Sequence, residues 1–101
     1  NCLAVRKRPN KGLLAGLWEL PNVEGELTAE QALSFAERAG CEPFELQKSV
    51  ERTHIFTHIV WKMRCYYILC RKRSPEFVWA GEDRRNTDVA LPTAFRMFVE
   101  D

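Results

Sequence analysis

The sequence holds two histidines, His54 and His58, which bracket Ile55-Phe56-Thr57. Imidazoles are the first place to look for a metal ligand or a proton carrier. Four residues along an extended strand separate two side chains by roughly 13 Å, so the pair cannot share one ion. Residue preferences alone leave both as ordinary strand or loop histidines, and Phe56 as a core side chain. The four cysteines, Cys2, Cys41, Cys65 and Cys70, form no C-x-x-C pair, which argues against a zinc knuckle or a redox motif. Cys65 and Cys70 fall on one expected strand at an odd separation, hence on opposite faces, which fits reduced thiols in a cytosol. Cations that could meet phosphate gather at Arg6-Lys7-Arg8 with Lys11, at Arg71-Lys72-Arg73 and at Arg84-Arg85, and acids at Glu24, Glu26 and Glu30. Of these, Arg6, Lys11, Arg71 and Lys72 are the candidate phosphate contacts, although each cluster taken singly also reads as a solvated strand end or turn. Trp18, Trp61 and Trp79 have faces on which bases can stack, but Trp61 lies on the most apolar strand face. None of the three is given a functional role.

The elements that must position these groups follow from pattern and punctuation. Cys2 to Arg8 reads as a strand running into the polar break Pro9-Asn10-Lys11-Gly12. Leu13 to Pro21 is apolar but punctuated by Gly16 and Pro21, which favours a loop with a short strand over a helix. Thr28-Ala29-Glu30-Gln31 is a capping box, and Ala29, Ala32, Leu33, Ala36 and Ala39 recur at helical spacing. A helix is expected over 29–39, with Gly40 ending it in a left-handed conformation. Phe44 to Glu51 nearly alternates and predicts a strand with one wet face. Ile59, Trp61, Met63, Cys65, Tyr67 and Leu69 fall on one side of a longer strand, which is expected to be deep core. Phe77 to Ala80 adds a short strand, and Pro92 leads into a closing helix through Phe98.

A chain of 101 residues with 46% hydrophobic side chains supports one compact domain over 1–101, built on a single core. Its 29% charged residues do not carry the signature of disorder, and its apolar runs fall short of the roughly 20 residues of a membrane helix. No membrane partner is expected. A net charge of +1 neither demands nor excludes nucleic acid. The chain does not open with Met, so a segment upstream of Asn1 is expected. The order of strand, loop, helix, strands, helix is α+β.

Three stretches together carry a family resemblance: Arg8-Pro9-Asn10-Lys11-Gly12-Leu13-Leu14-Ala15-Gly16-Leu17-Trp18-Glu19-Leu20-Pro21, His54-Ile55-Phe56-Thr57-His58, and Leu91-Pro92-Thr93-Ala94-Phe95. In this order and separation they resemble the C-terminal domain of adenine DNA glycosylases of the MutY type. The first is similar to that family's R-P-x-x-G-L-L-x-x-L-W-E-F/L-P segment. The second is similar to its H-x-F-S-H loop, with Thr57 in place of Ser. The resemblance implies a Nudix (MutT-like) fold, a mixed β-sheet flanked by α-helices.

An active Nudix box uses closely spaced glutamates to hold divalent metal ions. If Gly40 is matched to the box's late glycine, those positions hold Ser34, Glu37 and Arg38. One carboxylate remains, and an arginine repels the cation it would have to bind. No catalytic or metal-binding residue is therefore expected in this chain. The resemblance instead implies a reader of 8-oxoguanine. Phe56 would wedge beside the base, Thr57 would hydrogen-bond its altered edge, and His58 would probe the groove or backbone. His54 is assigned no role. The implied partners are double-stranded DNA carrying an 8-oxoguanine:adenine mispair and an N-terminal catalytic domain of the same chain. That domain would bear the adenine-excising chemistry and an iron–sulfur cluster, with no cofactor in the present segment. A bacterial cytoplasm is the expected location. The alternatives are a free-standing hydrolase of oxidised nucleotides with an unusual metal shell, and an interaction domain that keeps only the fold.

Overall fold

The computed structural model describes residues 2–99. Its elements run β1 (Leu3–Lys7), β2 (Trp18–Glu19), α1 (Ala29–Arg38), β3 (Pro43–Ile55), β4 (Val60–Cys70), β5 (Val78–Ala80), α2 (Glu82–Arg85) and α3 (Thr93–Val99). The chain forms two compact units, Asn1–Glu24 together with Arg73–Asp101, and Gly25–Lys72. Each unit has a sheet of its own, β2-β1-β5 in the first and β3-β4 in the second.

In the first unit, β1 is the central strand of an antiparallel sheet ordered β2-β1-β5. Val5 pairs with Val78 and Leu3 with Ala80, and Val5 and Ala80 are fully buried. Val89, Leu91, Ala94, Phe95 and Phe98 are buried as well, which makes this unit rich in wholly enclosed apolar side chains. Helix α3 starts where expected. The carbonyl of Pro92 accepts from the amides of both Phe95 and Arg96, and a proline there gives up an N–H that a helix start leaves unbonded anyway. Ala94, Phe95 and Phe98 then share its buried face. The short helix α2 was not anticipated, since four residues carry no periodic signal.

The second unit begins with α1. The Thr28 hydroxyl accepts from the Gln31 amide while the Gln31 side chain accepts from the Thr28 amide, the reciprocal box read from the sequence. At the other end Gly40 has φ +91°, its amide donates to Glu37 O, and the Cys41 amide donates to Ala36 O. That is a Schellman closure, which needs the left-handed residue that glycine supplies.

Strands β3 and β4 form an antiparallel two-stranded ribbon, from Ile55↔Val60 down to Pro43↔Cys70. Two register shifts, between Leu46 and Lys48 and between Pro43 and Glu45, insert extra residues into β3. The ribbon is longer than the expected Phe44–Glu51 strand and absorbs His54. The α+β class holds, and among the described residues the sheet consists of two antiparallel pieces. The β4 face expected to be deep core is not. Trp61, Met63, Cys65 and Tyr67 are half-buried, while Ile59 and Leu69 are exposed. A strand with a single hydrogen-bonded neighbour shields its side chains only partly.

Candidate nucleic-acid interface

The ribbon ends in a tight turn. Register pair Ile55↔Val60 is followed by a bond from the Phe56 amide to Ile59 O at 2.7 Å, leaving Thr57 and His58 at the apex. Both are exposed. Primed two-residue turns need positive φ, yet neither Thr57 nor His58 has it, so the turn is built without left-handed backbone.

Phe56 is half-buried because two aromatic rings hold it. The His54 ring lies 4.5 Å from it and the Trp61 ring 5.0 Å, at interplanar angles of 69° and 74°. Edge-to-face contacts of this kind contribute about 0.5–1.5 kcal/mol each beyond burial. His54 and Phe56 share a strand face by alternation, and Trp61 joins them as the cross-strand partner of His54. Thr57 therefore follows an anchored residue and is itself exposed.

Sequence reasoning gave Trp61 no role and left His54 unassigned. The signal was available: a turn centred on Thr57-His58 pairs residues whose numbers sum to 115, which sets His54 opposite Trp61. Thr57 and His58 lie at the apex, with Phe56 braced just beneath them.

The candidate phosphate contacts fare differently. Arg6 donates from Nε to Glu19 Oε2 at 2.8 Å and from Nη2 to Asn22 O at 2.6 Å. Its guanidinium is committed within its own unit. Lys72 pairs with Glu42 at 2.6 Å, which raises the Lys72 pKa, and Arg71 lies over the Phe44 ring at 4.5 Å. Lys11 is exposed in the Pro9–Gly16 loop.

The residue around which the first unit's charges collect, Glu19, was not singled out in the sequence. Its side chain is 5% exposed and meets Arg6, Arg8 (2.7 Å) and the Asn22 amide (2.8 Å). Burial pushes its carboxyl up, but the bonds from Asn22, Arg6 and Arg8 outweigh this and hold it below its ordinary value. Arg8 and Glu19 close the two ends of the Pro9–Leu17 loop, where Arg8 Nε also donates to Leu13 O. The network is structural in form, with each charge answered.

Burial pushes the Cys65 and Cys70 thiols up to about 11, with the neighbouring Cys41 adding to the effect at Cys70. Such thiols are poor nucleophiles at neutral pH. On α1, Ser34, Glu37 and Arg38 are exposed, and among the described residues no group of three or more His, Cys, Asp or Glu side chains is arranged to hold a metal ion. No helix among them is long and apolar enough to cross a membrane.

A family model described as NUDIX domain matches residues 1–101. The chain is 33% identical over 85 residues to an adenine DNA glycosylase of Schizosaccharomyces pombe, an alignment covering 73% of this chain and 18% of that protein. It is 32% identical over 109 residues to an adenine DNA glycosylase of Rattus norvegicus, covering 93% of this chain and 21% of the relative. The chain thus spans about a fifth of the length of these curated relatives.

Proposed function

This chain belongs to the NUDIX domain family, and on that footing we propose that it is the lesion-reading domain of an adenine DNA glycosylase, recognising 8-oxoguanine opposite adenine. The observation that carries the reading is the exposed Thr57-His58 apex above an aromatic brace. Oxidation at C8 of guanine converts N7 from acceptor to donor and adds a carbonyl acceptor beside it. A reader of that edge needs an acceptor and a donor side by side. The Thr57 hydroxyl accepts and donates, and its amide adds a second donor. Phe56, held by His54 and Trp61, keeps the loop from collapsing when a base approaches. His58, exposed next to it, is free to meet groove or backbone.

In this reading the adenine is extruded into a catalytic domain upstream in the same chain, which carries the glycosidic-bond chemistry and an iron–sulfur cluster. The present segment contributes no catalytic group and works in a reducing compartment. The similarity to two proteins named adenine DNA glycosylase supports the glycosylase assignment.

The full-length protein provides the test. Replacing Thr57 by Ala is expected to weaken discrimination of 8-oxoguanine over guanine opposite adenine by about 1–3 kcal/mol, the range for one lost specific base contact. Equal losses on both duplexes would count against direct readout. The family match favours one competing reading, a nucleotide hydrolase. Magnesium-dependent release of phosphate products from oxidised dGTP would establish it in place of ours.

A further inference from the structure

We propose that the outward face of the ribbon beside the apex, formed by Ile55, Val60 and Lys62, is a second DNA contact, in which the aliphatic pair rests on sugars and base edges and Lys62 meets a phosphate. The inference rests on the lesion-reading assignment and extends the interface beyond the Phe56-Thr57-His58 loop.

Register and alternation put the groups together. Ile55 pairs with Val60 and Thr53 with Lys62, and these side chains share one face, while His54 and Trp61 point to the other. Ile55 is 71% exposed and Val60 54%. Large apolar side chains stacked as a cross-strand pair in open solvent cost free energy that only a partner recovers. The same face is occupied further down the ribbon, where the Tyr66 hydroxyl donates to Leu27 O at 2.5 Å, just ahead of α1. Between that bond and the apex the side chains of this face are exposed, with Arg64 and Glu51 paired to each other and Ile55, Val60 and Lys62 left uncovered.

Charge selects the partner. From Arg52 to Met63 the sequence contains Arg52, His54, His58 and Lys62 and no acid. The neighbouring cations on the ribbon are used internally: Arg64 pairs with Glu51, and Lys48 sits over the Tyr67 ring at 4.7 Å. Lys62 is exposed and carries no ion pair among the described residues. A second copy docking symmetrically would present the same acid-free end of the strip, with no carboxylate to answer Lys62, whereas DNA supplies phosphate. A polyanion with an apolar groove floor suits both halves of the strip, as aliphatic wedges beside a cation do in minor-groove binders.

The experiment uses the full-length protein and two duplexes, one with 8-oxoguanine and one with guanine, each opposite a non-hydrolysable adenine analogue. Affinity is measured across a salt series. Lys62→Gln is expected to shrink the slope of log K against log salt by about 0.9, equally on both duplexes. Ile55→Ser is expected to weaken both duplexes by about tenfold with the slope unchanged, as loss of apolar contact predicts. Lys62→Gln alters an exposed side chain, so its result does not depend on tolerance of the ribbon to the apolar change. Unchanged affinity and slope in both variants would overturn the proposal. So would a change in sedimentation or inter-domain contact without a change in DNA binding, since a protein would then be the occupant. Thr57→Ala run alongside separates the two readings. Lost discrimination there with silent Lys62 and Ile55 variants sinks the strip alone, whereas the reverse pattern keeps the strip and sinks the lesion reading.

Discussion

The β2-β1-β5 sheet and the β3–β4 ribbon deal with charge in opposite ways. Around Glu19 one buried carboxylate is matched by Arg6, Arg8 and Asn22, and the nearby apolar residues Val5 and Ala80 are sealed. At the apex of the ribbon, Ile55 and Val60 face outward and Lys62 has no counter-ion among the described residues. Within a region whose polar groups are all answered, a mutation costs stability. In one whose groups are left open, it should cost binding instead.

That contrast can be broken at several points. The largest expected effect is Phe95→Ala, which empties a site only 4% exposed and should remove about 3–5 kcal/mol in denaturant unfolding. Ile55→Ser should stay within about 0.5 kcal/mol of the parent in the same assay. Comparable losses for the two would erase the distinction.

Glu19→Gln comes next, at about 3 kcal/mol near neutral pH, because it leaves two guanidinium groups facing a neutral amide. Its pH dependence sharpens the point. The folded carboxyl is held below its ordinary value near 4.5, so its stabilising effect is complete above that pH and fades as pH falls through the folded value. Urea titrations of parent and variant should converge in acid and separate above pH 5. A gap that persists unchanged at pH 3 would mean the charge network is not its source.

A third, smaller loss of stability is expected at Thr28→Ala, about 1 kcal/mol from loss of the helix cap. Amide exchange at Gln31, whose N–H the hydroxyl holds, reports it locally. Unaltered exchange there would show that the box contributes little to α1.

Helix α1 was legible to within a residue because both of its ends are local chemistry, a Thr-to-Gln box and a glycine closure. Strand β3 was underestimated at its far end, where Arg52 and His54 are half-buried and Ile55 is exposed, so hydropathy does not follow the alternation by which strands are read. The apex itself was legible as a motif, Phe56-Thr57-His58, yet its brace was not. Trp61 was judged by the hydropathy of its strand, whereas its part depends on pairing with His54 across the turn. Glu19 was missed for a related reason. A glutamate is ordinarily a surface residue, and its burial is intelligible only once Arg6 and Arg8 are known to reach it. In each case the missing information was a contact between residues distant in sequence, which local pattern does not encode.

The turn at the apex runs through ordinary torsion angles, with no glycine and no residue at positive φ. Position 57 thus makes no demand for glycine or for a left-handed residue. Serine, threonine, asparagine or alanine can stand there without left-handed strain, so a large difference among them in the hands of selection, or of an experimenter, points to what the side chain touches.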